Sequence, residues 1–266
     1  MLKKIISVTI IAMVVVIISC QPEDDNLKSK KTIPQDVLVK IKALGFSTLN
    51  VQRLDDGYLV EGDIVLLDKD FGRGKNKTVL RIADSEQYHT TNLVSAPRVI
   101  TVSVASNLGA TYVLATDSAL ARYNAESLNI TFQRVSQGAD MQIVKANFFE
   151  QNQFLASAGF PTDAGEPHDR IKVSNNQLAG QPLHTIVSVL AHEIGHCVGF
   201  RHTDFMNRSF SCGGAPVNEG ASTVGAIQIP GTPAGPDAGS FMLSCIGSGQ
   251  NRPFNPNDKI ALDYLY

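Results

Sequence analysis

The sequence lacks any concentration of charge. Its formal net charge is −2, and its 23 Lys and Arg are scattered rather than gathered into a stripe. That distribution argues against a nucleic-acid partner. It is poor in cysteine, with four in 266 residues, so stability must come from a packed core, which this length allows. It has no internal repeat. It also lacks an apolar run long enough to cross a membrane comfortably, which takes about 20 residues. Its longest charge-free apolar stretch, Ile5 to Ile18, is shorter than that. The length suits one large domain or a small domain followed by a medium one.

What is present begins at the N-terminus. Lys3 and Lys4 precede the Ile5–Ile18 stretch, the layout of a signal peptide. The stretch ends in Ile17-Ile18-Ser19-Cys20, which resembles the lipobox of bacterial lipoproteins, whose cysteine is acylated and becomes the first mature residue. The expectation is a signal peptide over 1–19, lipidation at Cys20 and a tether over 20–32. The acidic run from Gln21 to Asn26 resembles signals that send lipoproteins to the outer face of the outer membrane in Bacteroidetes-like bacteria. It reads equally well as a solvated linker. The expected location is the cell envelope, as an outer-membrane lipoprotein, with surface exposure left open. Three cysteines then remain, Cys197, Cys212 and Cys245. Export makes one disulfide plausible and leaves one thiol over.

A small unit and its linker are expected over 33–92. Val37, Leu38, Ile41 and Leu44 have helical spacing, and Gly45 stops the helix. Tyr58 to Leu67 reads as a strand interrupted by glycine. From Asp68 to about Thr91 the chain turns polar, with Gly72, Gly74 and several Lys and Arg, an exposed linker suited to nicking. A larger unit is expected over 93–266. The β-branched run Val99–Val104 predicts a strand, and Thr116–Leu128 a helix with Leu120, Tyr123 and Leu128 inward. Ile130–Val135 and Met141–Val144 predict two more strands, and Ile171–Val173 a short edge strand. A strong helix is predicted over Leu183–Val198, then a Gly, Pro and Ser-rich loop over Cys212–Ser240. A final helix has Asn255 as N-cap, Pro256 first and Asp258 third.

The chemistry is written in His192-Glu193-Ile194-Gly195-His196-Cys197-Val198-Gly199-Phe200-Arg201-His202. This run fills every specified position of H-E-x-x-H-x-x-G-x-x-H. At about 100° per residue, His192 and His196 lie about 40° apart on one helix face, one turn apart. Both can reach one zinc. His202 would fall on the far side of a continuous helix, so the chain must turn sharply, and Gly199 supplies the backbone freedom. Three protein ligands leave a fourth position open for water, the pattern of a catalytic zinc site. Glu193, beside both helix ligands, is placed to take the proton of that water and pass it to the leaving amine. With only six His in the chain, a chance match is remote.

At these residues the chain resembles the dual-action HEIGH metallo-peptidases, relatives of the astacins among the metzincins. Thr203-Asp204, Gly159-Phe160-Pro161, Ile229–Pro233 and Asn257–Leu262 extend the likeness. The resemblance implies an α+β fold with a twisted mixed sheet, an active-site helix and a cleft above a C-terminal lobe. It implies one catalytic zinc ion and protein or peptide substrates. Metzincins carry a methionine turn beneath the metal, and Ser240-Phe241-Met242-Leu243-Ser244 lies where such a turn belongs, with Met206 too close to His202 to compete. Asp204 resembles the acidic family residue that supports the site from below. One departure is Ser244, at the place where astacins carry a zinc-binding tyrosine, so the oxyanion stabiliser is not identified. Val60-Glu61-Gly62-Asp63 resembles the F-x-G-D element of astacin prosegments, whose aspartate fills the open zinc position, and it implies a latent enzyme. A plain bulge at Gly62-Asp63 is the alternative. His89, His168 and His184 have no ligand spacing. Cys197 packs as a thiol or pairs with Cys212 or Cys245.

The leading reading is a lipid-anchored zinc metallo-endopeptidase, monomeric, with Glu193 as general base. The competing one is a silent zinc-containing adhesion lipoprotein, against which Glu193 itself speaks, since a binding module has no need of it. An autonomous inhibitor-like first domain is a third. The loops carry no motif for substrate preference. If Cys20 is the lipidated residue, mass spectrometry of the mature N-terminus should find a multiply acylated cysteine and membrane partitioning, because one acyl chain anchors only marginally. An unmodified N-terminus elsewhere would contradict it.

Overall fold

A computed structural model describes residues 32–72, 87–220, 225–233 and 235–266. The expected signal peptide, Cys20 and the middle of the expected linker lie outside them. Residues 33–266 form one compact unit.

The first segment supplies a helix and a small sheet. Helix α1 (Gln35–Leu44) ends as expected at Gly45, whose φ of 97° gives the left-handed C-cap. Strands β1 (Gln52–Arg53), β2 (Gly57–Val60) and β3 (Ile64–Leu67) follow and pair in that order. The run expected as one interrupted strand is therefore a hairpin. Glu61 and Gly62, at φ 54° and 93°, reverse the chain so that Val60 pairs with Ile64. The period of two sorts its side chains. Tyr58, Val60, Ile64 and Leu66 pack with Ile41 and Phe46 and against Phe160. Leu59 and Val65 face the other way, onto Leu54, Ala146 and Phe154. With both faces buried, no polar alternation marks the turn.

Strand β4 (Tyr88–His89) comes next, then β5 (Arg98–Val104), the first strand of the main sheet in chain order. Gly109 and helix α2 (Ala110–Asn124) lead into β6 (Ile130–Arg134), β7 (Met141–Lys145), β8 (Ala156–Ser157) and β9 (Arg170–Val173). The five-stranded order is β6-β5-β7-β9-β8. Its first three junctions are parallel and β8–β9 is antiparallel. Helix α2 starts six residues before the expected Thr116 and stops before Ser127, which takes a left-handed φ of 57°. Leu120 and Tyr123 are buried as expected, with Tyr112, Ala115 and Ala119. Strand β9 is interior rather than an edge, because β8 pairs outside it. Beyond β8, the hairpin adds itself: Val65 N–H donates to Ala158 O at 2.7 Å and Ala158 N–H to Asp63 O at 3.0 Å.

Short α3 (Asn175–Leu178) precedes the long α4 (Leu183–Cys197), and α5 (Ser209–Cys212), β10 (Ile227–Gln228) and α6 (Pro256–Leu265) complete the chain. The capping box of α6 forms as its sequence requires, with Asn255 and Asp258 bonded reciprocally. Strand β10 pairs with β4. Cys212 and Cys245 form the disulfide and Cys197 is a buried free thiol. The core joins β5, β6, β7 and β9 to α2 and α4.

Arg201 ties the hairpin to this core. Its guanidinium is fully buried and bonds Glu61 Oε2 at 3.2 Å, Gly220 O at 3.2 Å and Gly225 O at 3.1 Å. It lies over the rings of Phe46, Phe160 and Phe205. Burial and the nearby Glu219 push the Glu61 carboxyl well above its ordinary range, against the pull of Arg201 and His202. Removing one member of a buried pair strands the other. Glu61→Ala should therefore cost about 3 kcal/mol in urea unfolding, and Glu61→Gln, which keeps an acceptor, distinctly less. Equal midpoints for wild type and Glu61→Ala would contradict this role.

Candidate metal centre

Helix α4 carries the first two histidines. Its residues from Thr185 to Cys197 are all buried, because one side meets α2 and the sheet while the other meets the 240–244 turn. A Cβ on Gly195 would lie 2.6 Å from Met242 Sδ and 3.0 Å from Phe241 Cε2. Glycine at 195 thus lets the helix rest on that turn. The helix ends at Cys197, and the chain then reverses at Gly199, whose φ of 108° and close approach to Leu93 and the Asn92 carbonyl exclude a side chain. Phe200 N–H then donates back to Gly195 O at 2.9 Å. The reversal carries His202 to the same side as His192 and His196, as the motif requires.

The three imidazoles and one carboxylate converge. His196 Nε2 lies 3.2 Å from His202 Nε2. Asp63 Oδ2 lies 3.1 Å from His202 Nε2 and 3.7 Å from His192 Nε2. All four donor atoms fall within 4.8 Å of one another, and all four residues are buried. Each ring is held by its other nitrogen. Nδ1–H of His192 donates to Phe241 O at 2.9 Å, that of His196 to Phe200 O at 2.8 Å, and that of His202 to Glu219 Oε2 at 2.9 Å. A carbonyl or carboxylate partner demands the proton on Nδ1, so each Nε2 presents a lone pair to the common centre.

The surroundings fit a cation. Among the described residues, His192 Nε2, Asp63 Oδ1 and Glu193 Oε2 are buried without a hydrogen-bond partner, a costly arrangement unless something positive sits among them. Three imidazole nitrogens and one carboxylate oxygen form a tetrahedral zinc donor set. Burial raises the Asp63 carboxyl, but the His202 and His192 imidazoles outweigh it and hold Asp63 well below the usual range. Burial lowers His196, helped by His192 and His202. Burial also opposes charge on His202, yet Asp63 and Glu219 carry it well upward. Glu193 is pushed well up by burial and by Asp63.

Below the centre, Met242 is fully buried and its carbonyl accepts Thr203 N–H at 3.0 Å. Asp204 accepts Ser244 N–H at 3.0 Å, Ser244 Oγ–H at 2.8 Å and Ser211 Oγ–H at 2.6 Å. It joins the 240–244 turn to the disulfide-bearing segment. Ser244 thus commits its hydroxyl to this support while also lining the cavity beside His192 and Glu193. Glu219 and Arg208, bonded to each other at 3.0 Å, were not singled out from sequence. They lie in or before a Gly, Pro and Ser-rich loop with no spacing to mark them. His89, His168 and His184 stay outside the cluster.

A buried three-histidine centre on an H-E-x-x-H helix defines a class, the zinc metallopeptidases. Residues 60–266 match the family model of the dual-action HEIGH metallo-peptidases, and the chain belongs to that family as a zinc-dependent metalloprotease. No curated protein sequence matches it. Among solved structures, it is similar to two of myroilysin. One shares 17% identity over 65% of this chain and 86% of that one, with a TM-score of 0.38. The other shares 16% over 66% and 96%, with a TM-score of 0.41. High choriolytic enzyme 1, a hatching enzyme zinc-protease from Oryzias latipes (medaka fish), shares 19% over 39% and 44%, with a TM-score of 0.27.

Metal analysis should find one zinc per chain. Zinc at a hundredfold excess over its dissociation constant should raise stability by about 2.7 kcal/mol, and His196→Ala should abolish that gain. A gain that survives His196→Ala would place the metal elsewhere.

Proposed function

We propose that the chain is an exported, lipid-anchored zinc endopeptidase, that His192, His196 and His202 hold the metal, and that Asp63 keeps the enzyme latent. The observation that carries the hydrolytic reading is Glu193 Oε2, buried and without a partner beside two histidines and in the wall of a cavity. A zinc ion held by the Nε2 atoms of His192, His196 and His202 would supply Lewis acidity toward the attacking water and the scissile carbonyl. Glu193 Oε2 takes a proton from the attacking water and returns it to the departing amine nitrogen. A silent adhesion protein would have no use for an unpaired carboxylate there.

Latency is supported by the place of Asp63. Its Oδ2 stands among the ligand atoms, where the water must stand. The hairpin that carries it also bonds Ala158 beside β8, so the sheet edge that an extended peptide would join is taken. Release requires a cut in the linker. The cut is expected between about Asp68 and Ala96, and the burial of Gln87, Tyr88, Thr90 and Val94 argues against those four positions. Lipidation at Cys20 and an envelope location rest on the sequence alone.

Two variants test the roles separately. Glu193→Gln should keep one zinc and lose at least about 100-fold in turnover; unchanged turnover in the zinc-loaded variant removes Glu193 from the mechanism. With a quenched peptide, intact wild type should be nearly inactive, and intact Asp63→Ala and linker-cut wild type active. If intact wild type matches the other two, Asp63 is only a loop residue.

A further inference from the structure

His168 takes no part in the metal centre, yet it is buried in the seam between the hairpin and the main sheet. Its backbone N–H donates to Cys197 O at 3.1 Å, which fixes the chain just before β9 against the end of α4. The ring lies against Gly159, where a Cβ would stand 2.6 Å from its Cε1 and 3.0 Å from Val65 O on the hairpin. Glycine at 159 leaves room for the ring and for strand β3 together. His168 lines two cavities. One, of about 330 Å³, has Asp56, Val65, Leu67 and Lys69 of the first segment in its wall. The other, of about 250 Å³, lies between Leu67 and Lys69 on one side and Phe160 and Pro167 on the other. The ring itself makes no hydrogen bond among the described residues.

Most charges around the ring are paired with one another. On the hairpin side, Asp56 accepts from Lys172 at 2.8 Å and from Arg170 at 3.5 Å, and Asp68 pairs with Arg53 at 2.7 Å. Lys172 also bonds Glu150 at 3.1 Å. On the far walls, Asp140 and Glu166 both pair with Arg98, at 2.8 and 2.6 Å. Burial lowers the His168 imidazole to about 4. Asp169 and Asp56 favour a proton there, Lys69 and Arg170 oppose it, and none of them offsets the burial. A buried ring without a hydrogen-bond partner carries charge badly, so it stays neutral while the hairpin covers it. Lifting the hairpin takes away Val65, Lys69 and Asp56 and leaves Asp169 beside a wet ring. The uncovered imidazole then regains its ordinary affinity for a proton, at about 6.5.

We propose that His168 is an acid-sensitive catch beneath the hairpin, whose protonation in mildly acidic medium weakens the hold of the first segment on the main sheet. The uncovered ring binds a proton more tightly than the covered one. Docking is therefore at full strength above about pH 6.5 and weakens as the pH falls toward 4. At about pH 5 the docking equilibrium should stand at least about tenfold below its neutral value. The effect on activity rests on the latency reading given above. A cut in the linker frees the first segment covalently, and acid then loosens the contacts that still hold it. The docking itself does not depend on what Asp63 does at the metal.

Hydrogen exchange of the intact, zinc-loaded chain at about pH 7.5 and about pH 5, beside His168→Gln, tests the catch. Peptides containing Val65 and Ala158 report the junction, because their N–H groups make the bonds that close it. Corrected for the intrinsic exchange rate at each pH, wild type should lose about tenfold or more of its protection there at the lower pH. His168→Gln, neutral at both, should lose much less, and β5 should keep its protection in both proteins. Glu61, Asp63 and the ligand histidines also lie under the hairpin, but they are common to both proteins and drop out of the comparison. An equal loss in the two proteins overturns the proposal. If His168→Gln does not fold, ring titration of wild type by NMR decides. A ring that stays neutral for as long as the hairpin is protected upholds the catch, and one that takes its proton near its ordinary value under a protected hairpin overturns it. Turnover separates the two readings: an intact Asp63→Ala chain no more active than wild type at neutral pH sinks latency and leaves the exchange result standing.

Discussion

Each ligand histidine is gripped by the nitrogen that faces away from the centre, and the arrangement of the C-terminal lobe follows from those grips. The three acceptors come from three parts of the chain: Phe241 O from the 240–244 turn, Phe200 O from the reversal after α4, and Glu219 from the long loop. Moving any one of them would turn a ring and scatter the lone pairs. The support beneath serves the same end. Gly195 lets α4 rest on Met242, Asp204 gathers Ser211 and Ser244, and the Cys212–Cys245 disulfide holds the two segments that Asp204 joins.

The second constraint is electrical. Asp63, Glu193, Glu61 and Glu219 are all buried within or next to the site, with Arg201 buried among them. Such a group is tolerable only when each charge has a counterpart. Arg201 and Arg208 answer Glu61 and Glu219, which leaves Asp63 and Glu193 facing the histidines. A divalent cation among three neutral imidazoles balances what remains. The hairpin therefore does more than cover the cleft. It brings one carboxylate to the metal position and another to Arg201, so its docking and the charge balance of the centre are coupled.

The sequence made the centre legible where local geometry dictates it. Helical periodicity forces His192 and His196 together, and Gly199 explains how His202 returns. The α6 cap was equally plain, since Asn255, Pro256 and Asp258 act within one turn. What escaped depended on long-range packing. Buried on both faces, residues 57–67 show no alternation, and Glu61 in a left-handed conformation carries no composition cue. The start of α2 escaped because Ala110 to Ala115 has no cap to announce it. Strand β9 lost its expected edge place to two residues, Ala156 and Ser157, too few to register as a strand. Glu219 sits alone in a polar loop, and three cysteines allow three pairings until the fold brings Cys212 to Cys245.

The central claim is that the intact chain closes its metal site with three imidazoles and the Asp63 carboxylate. X-ray absorption at the zinc edge of the intact, zinc-loaded protein tests this directly when compared with Asp63→Ala. The account predicts three imidazole nitrogens and one carboxylate oxygen at about 2.0–2.2 Å, with the carboxylate carbon signal lost in Asp63→Ala. Identical spectra for the two proteins would mean that Asp63 does not bind the metal, and the coupling between hairpin and centre would fall.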